Sequence, residues 1–206
     1  SFHEYQKMAW YIKKAMEGQK GNYLVFFPSY KLMTEVEEIF REEMGEDVLC
    51  ICQSSNMKEE EREEFLQEFE REQENSLVGF CVMGGIFSEG IDLKRDSLIG
   101  ALIIGTGLPQ ICNEREILKS YYDKRNMDGF SYAYLYPGMN KVLQSAGRVI
   151  RTDDDQGVIL LLDERFLQRQ YQYLFPREWD NYETCRLDNL GDKLEEFWQG
   201  ISDISN

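Results

Sequence analysis

Tyr23-Leu24-Val25-Phe26-Phe27 is a continuous apolar run that ends at Pro28. A strand without alternation of polar and apolar residues has both faces buried, which is typical of parallel sheets covered by helices on both sides. Four more apolar runs follow, at residues 48–52, 77–83, 98–104 and 158–162. Each has the length of an ordinary strand. The five runs therefore predict the strands of one parallel sheet.

Segments with helical spacing of apolar residues separate these runs. The first predicted helices are residues 3–17, residues 31–43 and an acidic helix with Phe65, Leu66 and Phe69 on its buried side. Downstream come a long insertion at 105–140, with a helical piece at 114–124 and a tyrosine-rich piece at 131–136, and then a helix at 139–150. This alternation predicts an α/β fold with a mostly parallel sheet of at least five strands.

The length of 206 residues suits one domain, residues 1–206, with a sizeable core. We expect that core at about residues 20–170 and a helical tail at about 171–206. The sequence has no run of about 18 apolar residues, so we expect no transmembrane helix and no membrane partner. It begins at Ser1 without an initiator Met or a signal-like segment, which suggests a fragment of a longer, cytoplasmic protein.

Cysteine and histidine usage excludes several kinds of site. The five cysteines lack metal-site spacing, and most lie in apolar runs, as expected of small buried side chains in a reducing cytosol. His3 is the only histidine, so a histidine metal site or a Ser-His triad is excluded. We therefore expect no metal held by this chain.

The net charge of −15 is concentrated in one part of the chain. Residues 35–74 hold 16 acids and 4 bases, whereas the other 166 residues hold 22 acids and 19 bases. The densest part, residues 58–64, is typical of a solvated helix face, and the sequence leaves its role open. A nucleic-acid surface elsewhere on the chain would be modest and sensitive to salt.

The segment Gln144-Ser145-Ala146-Gly147-Arg148-Val149-Ile150-Arg151 combines a glutamine with two arginines three residues apart. On one helical turn these side chains can point the same way. Guanidinium groups match phosphate oxygens and keep their charge, so the segment predicts a grip for a terminal phosphate. The alternative is a surface salt bridge between the arginines and the acids at residues 153–155.

Loops beyond the carboxyl ends of the predicted strands are the other candidates, because ligands bind there in open parallel sheets. The loop at 84–93 follows the third run and holds three glycines together with Ser88, Glu89 and Asp92. It suits close backbone approach to a phosphate, or it is an ordinary tight turn. Ser29 follows the first run and is a candidate helix cap or phosphate contact. The loop after Ile104 and the helix that ends at Arg151 complete this group.

Taken in order, these segments resemble motifs of the second RecA-like motor domain of superfamily 2 helicases, and more narrowly of the XPD/DinG branch. Residues 26–30 resemble motif IV, residues 85–93 resemble motif V with its Ser-Glu-Gly-Ile-Asp core, and residues 144–151 resemble motif VI. The resemblance covers roughly residues 20–170. It implies a RecA-like three-layer α/β/α domain from an ATP-dependent helicase that translocates 5′ to 3′ on single-stranded DNA.

The resemblance also implies a role for each candidate residue. The implied catalytic residues are Arg148 and Arg151, as arginine fingers on the γ-phosphate, and Gln144, which contacts that phosphate or the attacking water. The implied nucleotide-binding residues are Gly90, Asp92 and Glu89. The implied DNA-binding residues are Ser29, Tyr30 and Ser88.

The sequence contains no Walker A motif and no Asp-Glu-Ala-His-type motif II, which in the family belong to the first motor domain. ATP with Mg²⁺ would therefore be bound mainly by an N-terminal RecA-like domain of the same chain, and we expect this chain to be inactive alone. Three alternatives stay open. They are a degenerate motor domain that acts as a nucleic-acid-binding scaffold, the motor part of a helicase-nuclease, and an unrelated small-molecule α/β enzyme.

Because the chain is acidic and its remaining bases are few, we expect it to bind single-stranded DNA weakly on its own. A titration of a labelled oligonucleotide at roughly physiological ionic strength, about 150 mM, should give an affinity in the micromolar range or weaker. A nanomolar dissociation constant under those conditions would contradict this expectation.

Overall fold

The computed structural model describes residues 1–87, 98–149 and 155–205. The strands in these ranges are β1 Asn22–Phe27, β2 Val48–Cys52, β3 Ser76–Val82, β4 Gly100–Ile104 and β5 Val158–Leu162. They form a five-stranded sheet in the order β2-β3-β1-β4-β5, and each strand runs parallel to its neighbours. The predicted parallel sheet of at least five strands is confirmed.

Helices connect and cover the strands. They are α1 Phe2–Glu17, α2 Tyr30–Met44, α3 Glu59–Glu68, α4 Asn113–Asp123, α5 Tyr136–Ala146, α6 Arg169–Gln172 and α7 Leu187–Ser205. A π-helix at Ser131–Leu135 leads directly into α5, and 3₁₀ turns cover Glu164–Leu167 and Arg177–Trp179. Within the described ranges, no helix is both long and apolar enough to cross a lipid bilayer.

Two apolar cores lie on opposite faces of the sheet. On one face, α1, α2 and α7 supply Ile12, Phe40 and Leu194. On the other face, α3 and α5 supply Phe65 and Val142. Successive side chains of β1 enter the two cores alternately, which explains why its sequence is apolar throughout. The predicted three-layer α/β/α architecture is confirmed.

The helix predicted at 139–150 has different bounds in the structure. It begins at Tyr136, because the π-helix delivers a chain that is already helical and Pro137 is tolerated in a first turn. It ends at Ala146, where the backbone tightens into bonds of the i to i+3 type. The Arg148 N–H donates to the Ser145 carbonyl oxygen at 3.3 Å. Arg148 therefore lies in a turn just past the helix.

Helix α5 crosses the whole sheet, antiparallel to the strands that it covers. Its first turn lies at the carboxyl end of β4, where Gly138 packs against Thr106. The turn beyond its last residue lies at the amino end of the sheet, where Val149 packs against Gly157 beside Ile99. Its 11 residues span about 16 Å, which matches the height of the sheet.

Backbone packs directly on backbone where α5 begins. A Cβ on Gly138 would lie 2.7 Å from the carbonyl oxygen of Thr106, and a Cβ on Gly107 would lie 2.6 Å from the carbonyl oxygen of Gly138. Gly107 also has a φ of 70°, which side chains other than that of glycine rarely allow. Glycine at both positions is therefore what lets the loop after β4 touch the first turn of α5.

Gly138→Ala is expected to lower the free energy of unfolding by about 1–3 kcal/mol, because the added methyl group pushes the loop after β4 away from α5. Gly200→Ala is the matched control, since Gly200 lies inside α7 and a Cβ there would meet nothing within 4 Å. Alanine at that position should stabilise the protein by roughly 0.5–1 kcal/mol. Urea unfolding of both variants measures the difference, and shifts of the same sign would contradict the close contact.

Strand β2 forms one edge of the sheet, and its sequence is entirely apolar. The Gln53 N–H points toward β3, because it donates to the Phe80 carbonyl oxygen at 2.8 Å. The backbone groups of Cys50, on the alternate set of residues, therefore point to the free edge. Arg41 of α2 covers this edge, and its Nη2 donates to the Cys50 carbonyl oxygen at 2.9 Å. A charged side chain in this place blocks pairing with another chain.

We expect Arg41→Ala to expose the edge of β2 and to cause association that increases with protein concentration. Glu37→Gln is the control, because it removes only the carboxylate that holds Arg41 Nε at 2.9 Å and leaves the arginine over the edge. Sedimentation velocity over a range of concentrations compares the two variants. If Arg41→Ala stays as monomeric as Glu37→Gln, Arg41 is not needed to prevent association through the edge of β2.

Candidate functional site

The loop after β1 lies where the chain connections change from one face of the sheet to the other. Helix α2 connects β1 to β2 on one face, whereas α5 connects β4 to β5 on the opposite face. After β1 the chain therefore turns toward one face of the sheet, and after the neighbouring strand β4 it turns toward the other face. This opens a crevice beyond the carboxyl ends of the two strands. Ser29 and Tyr30 follow β1 after Pro28 and stand at this crevice.

Ser29 and Tyr30 start α2. The Ser29 hydroxyl accepts a hydrogen bond from the Leu32 N–H at 3.2 Å, so Ser29 is the helix cap. The Tyr30 hydroxyl accepts a hydrogen bond from Gln53 Nε2 at 2.9 Å. A tyrosine hydroxyl keeps its proton at neutral pH, and burial raises the pKa of Tyr30 further, so the hydroxyl can donate to an acceptor in the crevice.

Gln53 joins β2, β3 and α2 at the carboxyl edge of the sheet. The sequence did not identify it as a site residue. It is 4% exposed and follows β2 directly. Its Oε1 accepts from the Val82 N–H at 3.0 Å, while its Nε2 donates to Tyr30. The side-chain amide therefore ties the end of β3 to the start of α2. The available sequence signal was a polar residue directly after an apolar run, at the carboxyl end of a strand.

The turn at Gly84 and Gly85 lies between two side chains. A Cβ on Gly85 would lie 3.0 Å from Gln53 Nε2, and a Cβ on Gly84 would lie 3.3 Å from Lys141 Cε. Gly84 has a φ of 75°, which favours glycine. Because Lys141 belongs to α5, this turn touches both the Gln53 amide and the helix that leads toward Arg148.

Phe87 anchors the last described residues of the same loop. It is fully buried and stacks on Phe65 of α3, with ring centroids 4.2 Å apart. The buried side of the acidic helix therefore holds the chain just before the motif V core. Four predicted site residues of this loop lie outside the described residues, namely Ser88, Glu89, Gly90 and Asp92.

The loops after β4 and β5 close the crevice on its other side. A Cβ on Gly105 would lie 3.6 Å from Pro28 Cγ, so the loops after β4 and β1 are in contact.

Beyond β5, Asp163 accepts from Arg165 Nε at 2.9 Å and from Arg165 Nη2 at 2.7 Å. Burial alone would raise the pKa of Asp163, but the hydrogen bonds from Arg165 hold it below its ordinary value. Both charges of this pair are therefore compensated locally.

Gln144 and Arg148 lie at the far end of α5. Gln144 is exposed in the last turn of the helix, and Arg148 is half-buried in the turn that follows. Arg148 Nε lies 3.4 Å from the Gln144 carbonyl oxygen and donates to it, so the guanidinium folds back along the helix toward Gln144. The predicted partner Arg151 lies outside the described residues.

The candidate residues therefore fall on two surfaces. We call Ser29, Tyr30, Gln53, Gly84 and Gly85 the crevice surface, and Gln144 and Arg148 the helix-end surface. Sequence reasoning grouped the end of this helix with the loops at the carboxyl ends of the strands. The structure separates them, because a crossover helix must return to the amino edge before the next parallel strand begins. In the described part of the chain, no three His, Cys, Asp or Glu side chains are placed to hold a metal.

The helicase C-terminal domain family matches residues 12–182 of this sequence. The chain belongs to this family. It is 27% identical over 196 residues to a probable ATP-dependent helicase of Methanocaldococcus jannaschii, which covers 86% of this chain and 29% of the relative. It is 28% identical over 174 residues to the ATP-dependent DNA helicase YoaA of Haemophilus influenzae, which covers 83% of this chain and 25% of the relative.

This helicase C-terminal domain has two further likenesses, to a protein named DinG and to the fold of an XPD structure. It is 26% identical over 181 residues to the 3′-5′ exonuclease DinG of Staphylococcus haemolyticus, covering 86% of this chain and 19% of the relative. An apo XPD structure superposes with a TM-score of 0.66 at 24% identity, covering 84% of this chain and 34% of that chain. The predicted RecA-like fold and the resemblance to XPD and DinG are confirmed. The chain spans less than a third of the length of these curated relatives.

Proposed function

We propose that this helicase C-terminal domain is the second motor domain of an ATP-dependent helicase that translocates 5′ to 3′ on single-stranded DNA. Residues 1–206 form one RecA-like unit of a longer, cytoplasmic chain, with its core at about 20–170. ATP with Mg²⁺ is bound mainly by the N-terminal RecA-like domain of that chain, so the unit is inactive alone. In a bacterial cell it would act on nucleoid DNA. The observation that carries the proposal is the placement of two polar surfaces at opposite ends of α5.

The helix-end surface is the nucleotide-facing half of this proposal. Arg148 and Arg151 act as arginine fingers that reach the γ-phosphate held by the first motor domain, and Gln144 contacts that phosphate or the attacking water. The position of Arg148 in a turn beyond the helix supports this role, because a group that must reach another domain has to lie outside the packed layers. Guanidinium groups stabilise the charge that builds up on the transferred phosphoryl oxygens.

The crevice surface is the DNA-facing half. The amino end of α2 presents backbone N–H groups and a positive helix dipole to a phosphate, and the Tyr30 hydroxyl adds a donor beside it. Ser29 fixes the start of that helix, and we assign Ser88, which follows the Gly84–Gly85 turn in the sequence, to the same DNA-facing role. Contacts of this kind grip the backbone of a strand and not its sequence.

We propose that the loop at 84–93 has a role in both halves, sensing the nucleotide and coupling it to the DNA path. We assign Glu89, Gly90 and Asp92 to contacts with the nucleotide, with Asp92 accepting from a ribose hydroxyl. The described start of this loop supports the connection, because Gly84 packs on Lys141 of α5 while Gly85 packs on Gln53.

The test is ATP turnover by the full-length parent chain, with and without single-stranded DNA, for the wild type and for Arg148→Ala. Because an arginine finger contributes roughly 10³–10⁵ to the rate in related enzymes, Arg148→Ala should lower DNA-stimulated turnover by about a thousandfold or more. Arg125→Ala is the matched control, since Arg125 lies beyond α4 with its guanidinium 3.5 Å from the centre of the Tyr121 ring. This control should keep wild-type turnover.

These turnover measurements test the arginine-finger role and distinguish an active motor from a degenerate scaffold. Near-normal turnover by a cooperatively folded Arg148→Ala protein would exclude the finger role. A wild-type parent chain that binds DNA but does not turn over ATP in either condition would favour the degenerate scaffold.

A second candidate function is the motor part of a helicase-nuclease, and the exonuclease name of the staphylococcal DinG relative favours it. In that case the cleaving residues lie in another part of the parent chain. Incubation of the parent chain with an end-labelled strand and a divalent cation distinguishes the two. Shortening of the strand from its 3′ end, unaffected by Arg148→Ala, would support the nuclease.

A further inference from the structure

We propose that Gln53 is a positioning residue that couples Tyr30 to the Gly84–Gly85 turn and thereby sets the affinity of the crevice surface for single-stranded DNA. The DNA part of this inference rests on the proposed function. The positioning part rests on contacts alone and can be tested without DNA.

The hydrogen bonds of Gln53 use both ends of its amide. Its Oε1 accepts from the Val82 N–H at 3.0 Å, and its Nε2 donates to the Tyr30 hydroxyl at 2.9 Å. The backbone N–H of Gln53 donates to the Phe80 carbonyl oxygen at 2.8 Å, which fixes the root of the side chain. Because the residue is 4% exposed, water cannot readily replace these partners. The amide is therefore held in one orientation.

The turn at Gly84 and Gly85 rests on that amide. A Cβ on Gly85 would lie 3.0 Å from Gln53 Nε2 and 3.1 Å from the Val82 carbonyl oxygen. The Gly85 N–H donates to the same carbonyl at 3.1 Å. The turn is bonded to the end of β3 and leaves no room for a Cβ beside the amide, so we expect a shift of the amide to shift the turn.

Tyr30 and the Gly84–Gly85 turn belong to the two segments that we assign to the DNA, the start of α2 and the loop at 84–93. Tyr30 opens α2, and the turn leads to Ser88 three residues later. No other described side chain donates to the Tyr30 hydroxyl. Gln53 therefore sets the distance between a hydroxyl donor and the loop opposite it, which is the geometry that a DNA backbone would have to fit.

Gln53→Met and Tyr30→Phe, singly and combined in the full-length parent chain, test the coupling. Methionine has nearly the length of glutamine but can make neither bond, while phenylalanine removes only the hydroxyl. Gln73→Met is the matched control, because Gln73 is a half-buried glutamine that donates to the Glu68 carbonyl oxygen at 3.2 Å, away from the crevice. Hydrogen exchange of the peptide that contains residues 82–85 and the affinity for an oligo-dT strand are measured for each variant.

In Gln53→Met, the Val82 N–H loses its acceptor, so exchange in that peptide should accelerate by tenfold or more relative to Gln73→Met. The dissociation constant for oligo-dT should rise about three- to tenfold in each single variant, the range expected for one hydrogen bond. Because the two residues act through one contact, the double variant should bind within about twofold of the weaker single variant. Saturating DNA should restore most of the maximal ATP turnover, which loss of folded protein would not allow.

Three results overturn the proposal. Unchanged exchange at residues 82–85 in a folded Gln53→Met protein would show that the amide does not position the turn. Affinities that multiply in the double variant would show that Gln53 and Tyr30 act separately. If hydrogen exchange at residues 82–85 is faster in Gln53→Met but its affinity for oligo-dT equals that of the wild type, Gln53 has only a structural role. If the wild-type parent chain binds no DNA, the proposed function fails instead, and the exchange measurement still decides whether Gln53 positions the turn.

Discussion

The contact between the loop after β4 and the first turn of α5 determines where the functional groups of this domain lie. Gly107 and Gly138 bring two backbones together without side chains between them. That contact fixes the start of α5 at the carboxyl edge, and the helix then has the length needed to reach the opposite edge. Lys141, one turn along, lies over Gly84, and Arg148 lies beyond the last turn. A displacement of α5 would therefore move the helix-end surface together with the Gly84 side of the crevice surface.

The sequence was enough to predict the strands and the layers, because buried parallel strands carry a strong apolar signal and few sequence patterns compete with it. It was less informative about the helix that carries Arg148. Gly147 adopts an ordinary helical conformation and not the left-handed one of a typical glycine helix stop, and the helix ends through a change of hydrogen bonding that periodicity does not record. The early start at Tyr136 depends on the π-helix, whose register reflects packing more than side-chain pattern.

The candidate site was predictable only where a residue type carries the chemistry by itself. Arginine spacing pointed to Arg148, and a serine after a strand pointed to the cap at Ser29. Gln53 carried no such signal, because its importance comes from three neighbours, Tyr30, Val82 and Gly85, that lie 23 to 32 residues away in the sequence. Two of them, Tyr30 and Val82, are 23 and 29 residues distant in sequence. A tertiary network of this kind becomes visible once the sheet order brings β2, β3 and β1 side by side.

The acidic segment acquires a physical meaning from the same sheet order. Its acids lie mainly on α2 and α3, which flank the edge strand β2, while Phe65 and Phe69 turn inward. The excess of negative charge is therefore concentrated near β2, because residues 35–74 hold 16 acids and 4 bases. A DNA backbone that enters the crevice between β1 and β4 would be repelled from the β2 side. The charge that argues against general nucleic-acid binding would thus restrict a strand to the side of the crevice formed by the loops after β1 and β4.

The separation of the two surfaces bears on how a two-domain motor could work. ATP held by another domain would act on the helix-end surface, about one sheet height from the crevice. A signal over that distance needs either rotation of the domain as a rigid body or a contact that both surfaces share. The Gly84–Gly85 turn provides such a contact, because Lys141 of α5 touches it on one side and Gln53 touches it on the other. Rotation would move Arg148 and Tyr30 together, whereas the turn allows their relative position to change.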